Sequence, residues 1–135
     1  MSEIKVDTLT GKTAANDITV TVGASATMSL EQGLAKAFIS YNASGDHSED
    51  DSFNISSLTD GTNLGETDIA FTNTMGNSDY IPVCSCLESS ARIYRIETRS
   101  TSGYTSQSAN TSGTGKDDVQ GHVTFGDVAQ WQVKL

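Results

Sequence analysis

The sequence predicts an all-β protein, an antiparallel β-sandwich of about six to eight strands preceded by N-terminal strands and a short helix. Three observations carry that expectation. Apolar residues recur at every second position along most of the 135-residue chain, the period at which one face of a strand meets a core. Clusters of Gly, Asn, Asp and Ser interrupt the alternation at intervals of roughly ten residues, as turns between strands do. Helical periodicity is nearly absent, so there is nothing to cross between the strands of a parallel sheet.

Ile4 and Val6 alternate with Glu3, Lys5 and Asp7, and Ile18, Val20 and Val22 alternate with Asp17, Thr19 and Thr21. Both read as strands. The intervening "TGKTAAND" holds the Gly and Asn of a turn, giving a small hairpin or two extended arms. The stretch "SATMSLEQGLAKAF" departs from this pattern, because Ser29 and Gln32 have capping-box spacing and Leu30, Leu34 and Ala37 share one helical face. Gly33 weakens such a helix by about 1 kcal/mol relative to Ala. It needs packing, either over the end of its own sheet or at a neck where identical helices meet. Residues 1–36 are therefore expected to form an anchoring or oligomerisation arm and residues 37–135 a sandwich head.

In the head, "AFISYN" and "SFNISSL" flank an acidic stretch, and "ETDIAFTN", "DYIPVCSCL", "ARIYRIETRS", "YTSQS", "GHVTFGDV" and "QWQVKL" follow as strands. Pro82, which has no amide hydrogen to donate, places "YIPVC" on a sheet edge or bulge. In the last of these, Trp131, Val133 and Leu135 alternate with Gln130, Gln132 and Lys134. The span "TSGYTSQSANTSGTGKDD" is nearly devoid of apolar residues and reads as a protruding ribbon or mobile loop.

Val, Ile, Leu and Phe together make up a fifth of the chain, close to the composition at which a core becomes too thin to hold. Burial between subunits then supplements burial within one, so self-association is expected. The net charge of -9 repels phosphate backbones and anionic lipid, which makes nucleic acid and membranes poor partners. No apolar run is long enough to cross a bilayer, and "MSEIKVDTLTGK" lacks the basic start and hydrophobic stretch of a secretory signal. Synthesis in a cytosol is expected, and the glycosylation-like triplets at Asn42, Asn54 and Asn110 then read as turn chemistry.

The densest group of chemically capable residues is "SGDHSEDDSF", with Asp46, His47, Glu49, Asp50 and Asp51. Read as a calcium loop from Asp46, it has Asp51 where a Gly is needed and Ser57 where the closing Glu is needed. No nucleophile or metalloprotease motif accompanies His47 or His122. The stretch is expected to be a solvated turn between strands, as are the pairs Glu66 with Asp68 and Asp117 with Asp118. Cys84 and Cys86 point to one face of a strand and read as buried thiols, since a disulfide across one residue is strained. "SGTGKDD" lacks phosphate-loop spacing, and Arg92, Arg95 and Arg99 stand with Glu97 as strand-surface pairs. No catalytic, cofactor-binding or metal-binding residue is predicted.

The segments "SEIKVDTLTGKTAANDITVT", "SATMSLEQGLAKAFISYN", "DSFNISSLTDG", "IAFTNTM" and "DYIPV" resemble a family of virion proteins of marine bacteriophages, similar to short tail fibres or appendages. The resemblance covers Ser2 to about Val83 and, more faintly, "HVTFGDV". The chain departs from it at Phe38, where relatives often carry Trp, and at Glu49 and Asp50, where they tend to carry an Ile-Arg pair. The resemblance implies a structural, non-enzymatic and trimeric part of the particle surface. The expected role is a homotrimeric tail-fibre or tail-associated appendage in the virion, in contact with other virion proteins and with a host surface glycan or protein. Tyr41, Tyr80, Tyr94 and Tyr104 are the aromatic candidates for that contact, each equally suited to core or rim packing. A capsid decoration or cement protein is the alternative. A glycan-degrading enzyme would need two carboxylates about 5 to 9 Å apart in a cleft, for which the chain leaves little room.

Overall fold

The structure is a computed structural model and describes residues 6–8, 18–22, 26–87 and 90–127. The expectations for Ile4, for "TGKTAAND" and for "QWQVKL" lie outside the described residues. The chain divides into two compact units, Met1–Leu34 and Ala35–Leu135.

In the first unit, β1 (Thr19–Val22) and β2 (Ala26–Ser29) form an antiparallel hairpin, with Thr19 opposite Ser29 and Val22 opposite Ala26. The strand read at Ile18–Val22 is present, but its partner comes from the stretch assigned to the helix. That helix shrinks to one turn, α1 (Leu30–Gly33). The cause lies in the backbone: Ser29, expected to cap the helix, pairs with Thr19, and the Leu30 amide donates to the Ile18 carbonyl at 2.8 Å. The ladder takes groups that a longer helix would use, and two turns have too little cooperativity to compete.

The second unit is the predicted antiparallel sandwich. Among the described residues its eight strands are β3 (Ala37–Asn42), β4 (Ser48–Phe53), β5 (Ile55–Asp60), β6 (Glu66–Phe71), β7 (Ile81–Cys86), β8 (Arg92–Ser100), β9 (Gly103–Asn110) and β10 (Val119–Phe125). One sheet has the order β4-β3-β10-β7 and the other β5-β6-β9-β8. Ile39, Tyr41, Ile69, Phe71, Met75, Tyr80 and Tyr104 are buried together, with Ile55, Leu58 and Ile96 packed against them. Along β3 and β6 the buried and exposed positions alternate, so the period-two pattern becomes the inner face of each sheet.

The chain passes from one sheet to the other at Asn54, between β4 and β5. Its φ of 61° lies in the left-handed region, which Asn tolerates better than most residues. The side chain secures the corner: Nδ2 donates to the carbonyls of Lys36 and Asn73 at 3.0 and 3.1 Å, and Oδ1 accepts the Asn73 amide at 2.7 Å. Asn42 Oδ1 accepts the Ser44 amide, and Asn110 Oδ1 accepts the amides of Ser112 and Thr114. All three asparagines therefore act in turns, as their sequence context suggests. Pro82 sits on β7, an edge strand, where its missing donor breaks no ladder.

Two loop expectations are overturned. The acidic stretch is no loop beyond His47, because Ser48–Phe53 is the edge strand β4, paired with β3 through a bulge at Ser40 and Tyr41. Edge pairing needs backbone groups only, so exposed carboxylates do not prevent it. The span "TSGYTSQSAN" is not a protruding ribbon: the strand read at "YTSQS" is present as β9, a central strand between β6 and β8. Tyr104, Ser106 and Ser108 face inward there, and Gly103 is buried at the start of the strand. Small hydroxyl side chains replace apolar ones in this part of the core, which hides the strand from a hydrophobicity count.

Candidate interaction surface

The interior of the sandwich is unusually polar. His122 on β10 and Tyr104 on β9 meet at 2.9 Å, Nδ1 to hydroxyl, and the opposite ring nitrogen of His122 lies 3.1 Å from Gln120 Oε1. Because that oxygen accepts from Nε2–H, the neutral ring leaves Nδ1 to accept from Tyr104. Tyr41 also donates to Gln120 Oε1 at 3.1 Å. Burial holds the His122 imidazole down at about 4 and raises the phenols of Tyr104, Tyr94 and Tyr41 above the usual tyrosine range. Sequence reasoning missed this network. Its signal was the alternation of Gln120, His122 and Thr124 with Gly121, Val123 and Phe125, a polar stripe on the inward phase.

Tyr41, Tyr80 and Tyr104 are buried and Tyr94 is half-buried. They serve the core and not contact with sugars, because strand phase points them between the sheets. Tyr80, whose hydroxyl donates to the Gly103 carbonyl at 2.6 Å, is pushed up to about 12 by burial.

The carboxylates expected to be solvated divide by job. Asp118 takes a two-point ion pair from Arg92, at 2.6 Å from Nε and 2.9 Å from Nη2, with both side chains largely buried. Asp117 accepts the Gly65 amide at 2.9 Å. Glu66 accepts from the Asn63 side chain at 2.7 Å and from its amide at 2.9 Å, bonds that hold its carboxyl below the usual range. Its area is covered by its own loop with little protein beyond, so it behaves as a surface group. His47 is buried, with Nε2 3.7 Å from Asp60 Oδ1, too far for a hydrogen bond. Asp46, Glu49, Asp50 and Asp51 are exposed. Among the described residues no three His, Cys, Asp or Glu side chains gather as metal ligands. Cys84 and Cys86 are half-buried thiols that form no disulfide, and burial pushes the Cys84 thiol up to about 11.

The outer face of the β4-β3-β10-β7 sheet is the strongest candidate site. Phe53, Phe38, Val123 and Val83 lie in register across its four strands, with Phe125 opposite Ile81 one step further along. All six are exposed, Phe53 by 55%, Val83 by 57% and Ile81 by 63%. The Phe38 and Phe53 rings stack with centroids 6.2 Å apart. The next outward row reads Asp51, Ser40, Gly121 and Ser85, small side chains with a carboxylate at the β4 edge. On the outer faces of β3, β10 and β7 there is no Asp, Glu, Lys or Arg at all. The other sheet presents Asp68, Arg95, Glu97, Thr105 and Gln107 to solvent or half to solvent.

Charge is divided between the sides of the sandwich. β4 beside β5 carries Glu49, Asp50, Asp51 and Asp60, whereas β8, beside β7, carries Arg92, paired with Asp118, Arg95, paired with Glu97, and Arg99. Among the described residues no helix is long and apolar enough to cross a membrane. No family model, no curated protein and no solved structure matches the chain.

Proposed function

We propose that this chain is a structural subunit of a bacteriophage virion, a homotrimeric tail-fibre or tail-associated appendage that works by assembly and by contact with a host surface. What supports the reading is one observation, an apolar sheet face on which β3, β10 and β7 present no charged side chain outward, on a chain of net charge -9. Solvated faces carry charge and interface cores shed it. The second support is the density of hydroxyl side chains, 18 Ser and 17 Thr, which pair across strands and between subunits.

The catalytic machinery of a hydrolase is not what the polar interior resembles, since His122, Tyr104 and Gln120 are committed to one another in the core. Sedimentation of the isolated protein tests the assembly reading, with three times the chain mass expected and a monomer at every concentration overturning it. Labelling of intact particles then separates the appendage, where label falls on tails, from the capsid-decoration alternative, where it falls on shells. Release of reducing ends from host envelope polysaccharide would replace both with an enzyme.

A further inference from the structure

We infer that the outer face of the β4-β3-β10-β7 sheet is the surface on which copies of this chain meet, the Phe half of one copy lying on the Val half of the next. The inference rests on the assembly reading and adds to it the surface and its pairing. The row across the sheet reads Phe53, Phe38, Val123, Val83, with the bulky pair on β4 and β3 and the smaller pair on β10 and β7. Consider a symmetry axis parallel to the strands. It turns the neighbouring copy so that the order reverses while the ends of the strands stay aligned. Phe53 then stands over Val83 and Phe38 over Val123, large on small, at the roughly 10 Å separation of stacked sheets. An axis across the strands would instead set the apolar end against Ser40, Gly121 and Ser85.

The charge distribution selects the same arrangement. With the axis along the strands, the acidic β4 edge of one copy faces the β7 edge of the next, beside which lies Arg95, close to Pro82 and Cys84. With the axis across them, the acidic β4 edge of one copy would lie over the β4 edge of the next, with Asp51 against Phe53. A twofold axis along the strands stacks the two faces at that separation, whereas a threefold axis along the strands inclines neighbouring faces to one another and brings only the β4 edge of one copy, with Phe53, to the β7 edge of the next, with Val83, which is the form the contact takes in a trimer. The face has a footprint of roughly 20 by 20 Å, from four strands about 4.8 Å apart and about six residues long. That is about half of one partner's share in a standard interface, so the sheet face by itself supports concentration-dependent association.

The test is charge rescue across the contact. Phe53 and Val83 occupy opposite edges of the sheet, about 14 Å apart, and do not pair within one copy. Phe53→Lys alone and Val83→Asp alone are each expected to weaken association more than tenfold in sedimentation equilibrium, with thermal unfolding showing that each still folds. The double variant F53K/V83D is expected to recover most of the loss. Phe53→Ser and Val83→Ser serve if a charged single variant does not fold. Singles that assemble like the parent overturn the inference and leave the assembly reading standing. Singles that dissociate with no recovery in the double variant overturn the Phe-on-Val pairing. A parent that is monomeric throughout overturns the assembly reading and with it this contact.

Discussion

His122 has the largest downward displacement among the groups that titrate near neutral pH, and its sign is fixed by where it sits. Its folded value of about 4 lies below the roughly 6.5 of an unfolded histidine. As pH falls the unfolded chain takes up the proton first, so stability is complete above about 6.5 and declines toward 4, by roughly 3 kcal/mol at most. Melting between pH 7.5 and 5 is expected to show this decline, and His122→Gln to flatten it. Glu66 adds its own loss only at lower pH, because its folded value is depressed from an already acidic one. A second residue-scale prediction concerns Asp118. Asp118→Ala removes the carboxylate that faces the largely buried Arg92 guanidinium and that Ser108 also reaches at 3.2 Å. Breaking a buried pair from one side costs about 3 kcal/mol or more, which denaturant unfolding would register.

Among the elements, the crossing at Asn54 and the edge at β4 make separable predictions. Asn54→Gly keeps the left-handed backbone but loses the bonds to Lys36 and Asn73, whereas Asn54→Ala loses both. The alanine variant is expected to be less stable than the glycine variant by about 1 kcal/mol, a difference readable in the denaturant midpoint. On β4 the acidic residues protect an open edge, since an unpaired edge strand with neutral side chains invites another strand. Neutralising it with E49Q/D50N/D51N is expected to leave the fold intact and to raise light scattering over hours at micromolar concentration. Unchanged scattering would mean that the edge is protected by its bulge alone. Gly115 and Gly103 mark places where strands and loops approach so closely that a Cβ would overlap the Leu64 or Ile69 carbonyl.

For the whole molecule, net charge and the apolar face oppose each other. Copies bearing -9 repel over distances that salt shortens to about 8 Å at physiological strength. Adding salt is therefore expected to strengthen self-association, and sedimentation at 0.02 M and 0.5 M sodium chloride, taken as roughly the low- and high-screening limits, would show the larger species gaining. The opposite trend would mean that the Arg-bearing β8 side and the acidic β4 side dominate the contact through attraction. Either outcome assigns the dominant force in assembly.

The alternation of Ile39 and Tyr41 with Phe38 and Ser40, and of Ile69 and Phe71 with Asp68 and Ala70, determined by itself that the chain folds into strands with two unlike faces, because a period of two admits no other regular structure. The turn-forming asparagines and the edge position of Pro82 were equally legible, being consequences of local hydrogen-bonding capacity. Only the tertiary structure decided which face is which. Phase alone makes Phe38, Val83 and Val123 look like core, yet they point outward, and Gln120, His122, Ser106 and Ser108 look solvated, yet they are enclosed. Burial depends on which strands pair and which sheet lies opposite, and those contacts join residues far apart in the chain. The helix at Leu30 failed for the same reason: a local capping signal worth about 1 kcal/mol yields when a neighbouring strand offers the same backbone a ladder.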